Sequence, residues 1–225
     1  MELTNQHLTR QLDLIPIEVL GEPITVIGAG AIGGWVTLAL AKMGFGNISV
    51  YDFDHVDIVN LNSQFYRQGD VGGPKVGALR QLVLDFTGTE IDGRYTKYEG
   101  GIFPGIVISA VDNMAVRKLI WDNHVGKSVN TRRIIDPRMG AESALLYVMN
   151  PMSEVDAKAY EKTLYSDEDA VRERCTAKAT IYTANLLSGM VCKAVKDILV
   201  GDQYPRTVTW DIKSDQFQAY RGTGT

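Results

Sequence analysis

Between Pro23 and Asp52 the spacing of apolar residues changes period twice. The β-branched run ITVI gives way to glycines, then to apolar positions on a helical repeat from about Ala31 to Met43, then to GFG and a second run ending at Asp52. This pattern predicts strand, helix, strand. GPKVGALRQLVLDFT then reads as a helix entered through Pro74, whose fixed φ and missing N–H suit a first helical turn. IDGRYTKYEG alternates as a strand does, GIVISAVDN reads as a buried strand and MAVRKLIWDNH as a helix. Strands alternating with helices in this way belong to a parallel sheet. From about residue 128 the rhythm changes: SVNTRRIID, SALLYVMN, RTVTWDIK and QFQAYRG read as strands, with one long helix among them, about Ala177 to Leu199.

The expected fold class is therefore α/β: a Rossmann-like, mostly parallel sheet with a glycine-rich nucleotide loop, extended by antiparallel strands in the C-terminal part. A chain of 225 residues fits one domain with a full core. Within it we expect a helical arm over 1–20, a nucleotide-binding half over 21–127 and an antiparallel extension over 128–225. The charged run over 165–176 reads as a surface crossover or lid.

Composition narrows the function. With 23 basic against 27 acidic residues the net charge is −4, which offers no electrostatic footprint for nucleic acid. The N-terminus lacks the cationic and apolar regions of a signal peptide, and no run of about 18 apolar residues is present. A soluble, cytoplasmic protein with no membrane partner is the expectation. The two cysteines, Cys175 and Cys192, build neither a disulfide framework nor a C-x-x-C zinc site, so no zinc is expected. His7, His55 and His124 are scattered without a recognisable catalytic partner and read as ordinary surface or core residues.

Gly28, Gly30 and Gly33 form G-x-G-x-x-G at the first strand-to-helix junction. The first glycine permits a tight turn, the second lets backbone N–H groups approach phosphate, and the third lets helix pack closely on strand. Asp52, ending the next strand, stands where a ribose partner is expected. This pattern alone does not separate NAD from ATP.

The following loop is more specific. The glycine loop, DFDHVDIVNL (DFDxVxxxNL), GGPK (GxPK), VDN before a helix and RQ near the N-terminus occur in an order that resembles the ThiF/MoeB/HesA family, over residues 10 to about 200. That family is the adenylating domain shared with ubiquitin-activating enzymes. The resemblance implies an ATP-dependent adenylyltransferase that uses Mg²⁺ and activates the C-terminal glycine carboxylate of a small ubiquitin-like or sulfur-carrier protein. It assigns Asp52 to the ribose, Asn60 and Lys75 to the phosphates, and Asp112 to Mg²⁺. It also sends Arg10 into the neighbouring protomer's site in a homodimer. Asp54 and Asn62 are either nucleotide contacts or turn formers.

One position departs from the family. Where NLxRQ is usual this chain has NLNSQ, so Ser63 replaces a phosphate-facing arginine; Arg67, four residues on, would share a face with it if this piece is helical and would then partly replace the missing cation. Cys175, in ERCTAK, is placed like the thioester-forming cysteine of activating enzymes, with Arg172, Arg174 and Lys178 to favour a thiolate, or is idle. Cys192 reads as core. Arg138 and Glu142, in DPRMGAES, either help shape a channel for the carrier's tail or belong to a plain turn. Two further readings stay open, beside a nucleotide-binding oxidoreductase as the fold-level alternative. Adenylation of a tRNA base occurs in a related branch, although the acidic balance argues against it, and a non-catalytic binding subunit is suggested by Ser63.

Overall fold

Strand β1 (Ile24–Ile27) and strand β4 (Gly105–Ser109) are buried at every position, as strands covered on both faces must be. In the computed structural model, which describes residues 5–165 and 179–221, they are the centre of an eight-stranded sheet ordered β3-β2-β1-β4-β5-β6-β7-β8. The remaining strands are β2 (Ile48–Asp52), β3 (Asp92–Tyr95), β5 (Thr131–Gly140), β6 (Ser143–Met149), β7 (Thr207–Asp211) and β8 (Gln216–Tyr220). The pairings from β3 across to β5 are parallel, and those joining β5, β6, β7 and β8 are antiparallel. The mixed sheet expected from the changing rhythm is the one observed.

The helices are α1 (Gly33–Lys42), α2 (Lys75–Thr87), α3 (Met114–His124), α4 (Glu154–Glu161) and α5 (Ile181–Val200). Successive side chains of a strand point to opposite faces. Ile106 and Ile108 therefore join a core with α1, α2 and α5, while Val107 joins a second core with Ile120 and Trp121 of α3 and Tyr160 of α4.

Three boundaries differ from expectation. Helix α4 was not anticipated, because EVDAKAYE carries few apolar residues; the Ser153 hydroxyl accepts from the Asp156 N–H at 3.2 Å and starts it. Pro74 is the residue before α2, not its first turn, with ψ at 131°. The N-terminal arm holds 3-10 turns at Asn5–Leu8 and Ile17–Val19, anchored by buried Leu8, Ile15 and Leu20.

Candidate active site

Gly28, Asp52 and Asp112 all lie at the carboxyl edge of the parallel strands, around the point where chain order reverses between β2, β1 and β4. Open α/β sheets bind ligands in such a crevice. Two of the three glycines there are sterically required. Gly28 has φ +100°, and a Cβ at Gly33 would stand 1.8 Å from the Gly28 carbonyl oxygen. A Cβ at Gly30 would meet nothing within 4 Å, so its side of the turn is open. No side chain caps α1; the Gly34 N–H donates to the Gly30 carbonyl at 3.0 Å, and the positive end of the helix lies at this turn, an arrangement that attracts an anion.

The turn is held through Ala29. Its N–H donates to Asp52 Oδ2 at 2.6 Å, and its carbonyl accepts from the Tyr66 hydroxyl at 2.6 Å. Asp52 Oδ1 accepts from the Asp54 N–H at 2.7 Å. Burial raises the Asp52 carboxyl above its usual range, opposed by these two N–H donors and by Lys75. Each carboxylate oxygen has a second lone pair, so Asp52 keeps capacity for a ribose hydroxyl.

The loop after β2 is closed at its base by short antiparallel pairing. Lys75 N–H donates to the Asp54 carbonyl at 2.9 Å, Val56 N–H to Gly73 at 2.8 Å and Gly72 N–H to Val56 at 2.8 Å. Lys75 opens α2, which also lacks a side-chain cap, and its buried ammonium pairs with Asp54 Oδ2 at 2.9 Å. The structure thus brings Gly28, Gly30, Gly33, Asp52, Asp54 and Lys75 together. Asn60 Oδ1 accepts from the Asp57 N–H at 3.0 Å in a reciprocal cap, so part of its work is to fold the loop. Asn62 is exposed and Ser63 is buried.

Arg67 does not take up the expected relation to Ser63. The piece is not an α-helix: Arg67 is extended, at φ −81° and ψ 155°, and begins a 3-10 turn. Its guanidinium pairs with Asp70 at 3.1 Å and with Asp85 at 3.2 Å. Asp85 is ten residues along α2 from Lys75, about 15 Å at a helical rise of 1.5 Å per residue. Two carboxylates hold this cation toward the far end of α2, away from the glycine turn.

Asp112 is exposed just past β4, and the N-cap of α3 is Asn113, whose Oδ1 accepts from the Val116 N–H at 3.0 Å. Asp112 is therefore not spent on capping. Among the described residues no three His, Cys, Asp or Glu gather as a metal cage. A single exposed carboxylate just past β4, at the carboxyl edge of the parallel strands, nonetheless fits Mg²⁺, which keeps several waters and is bound by one or two carboxylates plus substrate phosphates.

Beside Asp112 lies a network the sequence did not disclose. Asp136, wholly buried, receives the guanidinium of Arg117, Arg138 Nε at 2.8 Å and the Tyr160 hydroxyl at 2.8 Å. Arg117 also donates to the carbonyl of Val111, and Arg138 donates to the Thr163 carbonyl at 2.9 Å. Burial, with Arg138 nearby, brings the Arg117 guanidinium down to about 10. Arg138 and Glu142 diverge: Glu142 Oε1 accepts from the Tyr182 hydroxyl at 2.7 Å in the β5–β6 turn. Tyr66, Arg117, Asp136 and Tyr160 are the site residues that sequence reading missed. A run of DN followed by Arg inside a helix was the only signal for any of them.

Arg10 is exposed on the N-terminal arm. Cys192 is buried and its thiol is pushed up to about 12, so it is an inert core residue. Cys175, with Arg172, Arg174 and Lys178, lies outside the described residues.

Comparison with known proteins gives partial sequence matches and a shared fold. The chain is 35% identical over 104 residues to the NEDD8-activating enzyme E1 catalytic subunit of Arabidopsis thaliana, covering 43% of this chain and 23% of that one. It is 34% identical over 133 residues to the SUMO-activating enzyme subunit uba-2 of Caenorhabditis elegans, covering 55% and 22%. With the adenylyltransferase and sulfurtransferase MOCS3 of Culex quinquefasciatus it shares 31% over 128 residues, 51% and 29%. These matches span less than a third of the relatives' length. Among solved structures, E. coli MccB with ATP superposes at a TM-score of 0.73 and 14% identity, over 97% of this chain and 72% of that one. PaaA superposes at 0.75 and 17%, over 96% and 73%. At such identities the likeness concerns the fold. The family comparison reaches further: residues 21–223 match the ThiF family, and the chain belongs to it.

Proposed function

We propose that this protein is an ATP-dependent adenylyltransferase that activates the C-terminal glycine carboxylate of a small ubiquitin-like or sulfur-carrier protein. The observation that carries the reading is the convergence of an uncapped helix start at the glycine turn, a buried lysine opening a second uncapped helix, and an uncommitted Asp112 on one crevice. A carboxylate is a poor electrophile, and AMP gives it a leaving group. One carboxylate oxygen attacks the α-phosphorus of ATP, the bond to the bridging oxygen breaks, and pyrophosphate departs. Both reactants are anions, so alignment and charge neutralisation are the protein's main tasks.

The residues divide that work. Asp52 offers its spare lone pairs to the ribose and holds the phosphate turn through Ala29. First-turn N–H groups of α1 and the Lys75 ammonium meet the phosphates, with Asp54 as the counter-ion from which Lys75 is released. Asp112 would hold Mg²⁺, which neutralises phosphate charge when bound. Arg10 enters from a second copy across a two-fold axis. Apolar surface left exposed at Ile181, Tyr182 and Leu186, on the half of α5 that extends past α1, suits such a contact. Transfer to Cys175 would follow as a thioester.

Exchange of labelled pyrophosphate into ATP tests the proposal. It should appear with a small Gly-ending protein that co-purifies with the chain, and fall on the order of 10²-fold in Lys75→Ala or Asp112→Ala. Exchange that needs tRNA instead would move the reading to base modification. A second reading, a nucleotide-binding subunit without turnover, draws on Ser63 and on the engagement of Arg67 elsewhere. Nucleotide binding with no exchange under any condition would favour it.

A further inference from the structure

Two guanidiniums and one carboxylate are buried together beneath the crevice: side-chain exposure is 8% for Arg117, 13% for Arg138 and 0% for Asp136. Taking charge out of water is costly, and a stable core favours as few such groups as possible. One arginine would have balanced Asp136. The second leaves a net positive charge, and among the described residues the Asp112 carboxylate lies near enough to favour the charged form of Arg117.

The geometry of Arg117 is equally specific. It extends from the first turns of α3 back over the turn that precedes this helix and donates to the Val111 carbonyl, one residue before Asp112. On its other side it donates to the Pro137 carbonyl at 3.4 Å and meets Asp136, at the level where β5 leaves its pairing with β4. Arg138 and Tyr160 hold Asp136 from behind, and Arg138 is itself anchored on the Thr163 carbonyl and hydroxyl at 2.9 and 3.1 Å. A planar five-donor group can bridge these acceptors at once, whereas an ammonium cannot.

We infer that Arg117, fixed by Asp136 with Arg138 and Tyr160 behind it, is a positioning residue that sets the Val111–Asp112 turn and thereby where Asp112 meets the metal of a metal–nucleotide substrate. Its metal part rests on the adenylation reading; the positioning of the turn does not. Arg117 touches neither nucleotide nor metal. It acts through one backbone carbonyl, as outer-shell partners of a ligating carboxylate do.

The test uses the full chain and Arg117→Lys, with Arg138→Lys as the variant if the first fails to fold. Amide hydrogen exchange over residues 108–116 should become severalfold faster in the variant while β1 and β2 keep wild-type protection. Unchanged exchange over 108–116, or a rise spread evenly over the whole sheet, overturns the inference. In parallel, binding of α,β-methylene-ATP is titrated with Mg²⁺. The variant should need about tenfold more Mg²⁺ for half-saturation, the lower range for losing an outer-shell partner, with metal-free nucleotide binding unaltered. In an Asp112→Asn background the further penalty should vanish, and additive penalties overturn the assignment. Wild-type protein that binds no α,β-methylene-ATP would sink the adenylation reading, and the exchange result would still decide whether Arg117 positions the turn.

Discussion

At the scale of single residues, the glycine turn depends also on contacts made through Ala29. Ala29 is fully buried, with its N–H held by Asp52 and its carbonyl by Tyr66. The contacts come from the end of β2 and from the loop after it, 23 and 37 residues away in sequence. Tyr66→Phe keeps the ring and removes one hydroxyl, leaving a buried carbonyl without a partner. That should cost about 1–3 kcal/mol, read as a lower urea midpoint with an unchanged slope. The same variant should bind α,β-methylene-ATP severalfold more weakly, because the turn that presents the N–H groups loses one of its two ties. Equal affinity in the variant would mean that Asp52 alone sets the turn. The places of Lys75 and Asp112 in the fold were readable from local pattern, Lys75 as the first residue of α2 and Asp112 just past β4. Arg67 was misread for the opposite reason. Its partner Asp85 is 18 residues distant, and no local pattern announces a pairing of that kind.

Among the elements, the strands and helices with a clear apolar period were legible to within a few residues, and α3 was read from Met114 to His124 without error. Helix α4 escaped because a short helix packed through Tyr160 and little else leaves no stripe to detect. The end of α3 carries a further consequence. His124 is wholly buried; its Nδ1 lies 2.7 Å from the Ile120 carbonyl, and its Nε2 accepts the Phe103 N–H at 3.1 Å. The acceptor role of Nε2 places the proton on Nδ1 and makes the ring neutral. Burial lowers its pKa from the usual 6.5, and nearby Lys127 adds to the shift. The unfolded chain therefore binds the extra proton first as pH falls. Unfolding free energy should then rise with pH through this window: this stabilisation is present above about 6.5 and is lost progressively below it. Urea unfolding of wild type and His124→Gln between pH 7 and 5 checks the sign. The variant should be less stable at pH 7 and should lose less on acidification; parallel pH profiles would count against a neutral His124.

For the whole molecule the open question of architecture is whether one chain makes one complete site. The crevice provides a lysine, an aspartate and helix N-termini, but Ser63 brings no charge and Arg67 is engaged by Asp70 and Asp85. Adenylation as proposed would bring two anions together there, and charge-assisted contacts are roughly twice as strong as neutral ones. A second cation is the natural requirement, and the exposed Arg10 on an arm anchored by Leu8 and Ile15 is the candidate if it crosses to a partner. In a two-fold dimer each site would combine Lys75 of one chain with Arg10 of the other. Arg10→Ala and Lys75→Ala should then each be nearly inactive in pyrophosphate exchange. Mixed after dissociation and reassociation, half of the dimers pair one variant with the other, and each of these has one intact site and one doubly impaired site. Recovery should approach about a quarter of wild-type activity for random pairing of equal amounts. Mixing that restores nothing, while the chains demonstrably exchange, would mean that Arg10 serves its own chain and that the cation missing at Ser63 is not replaced across an interface.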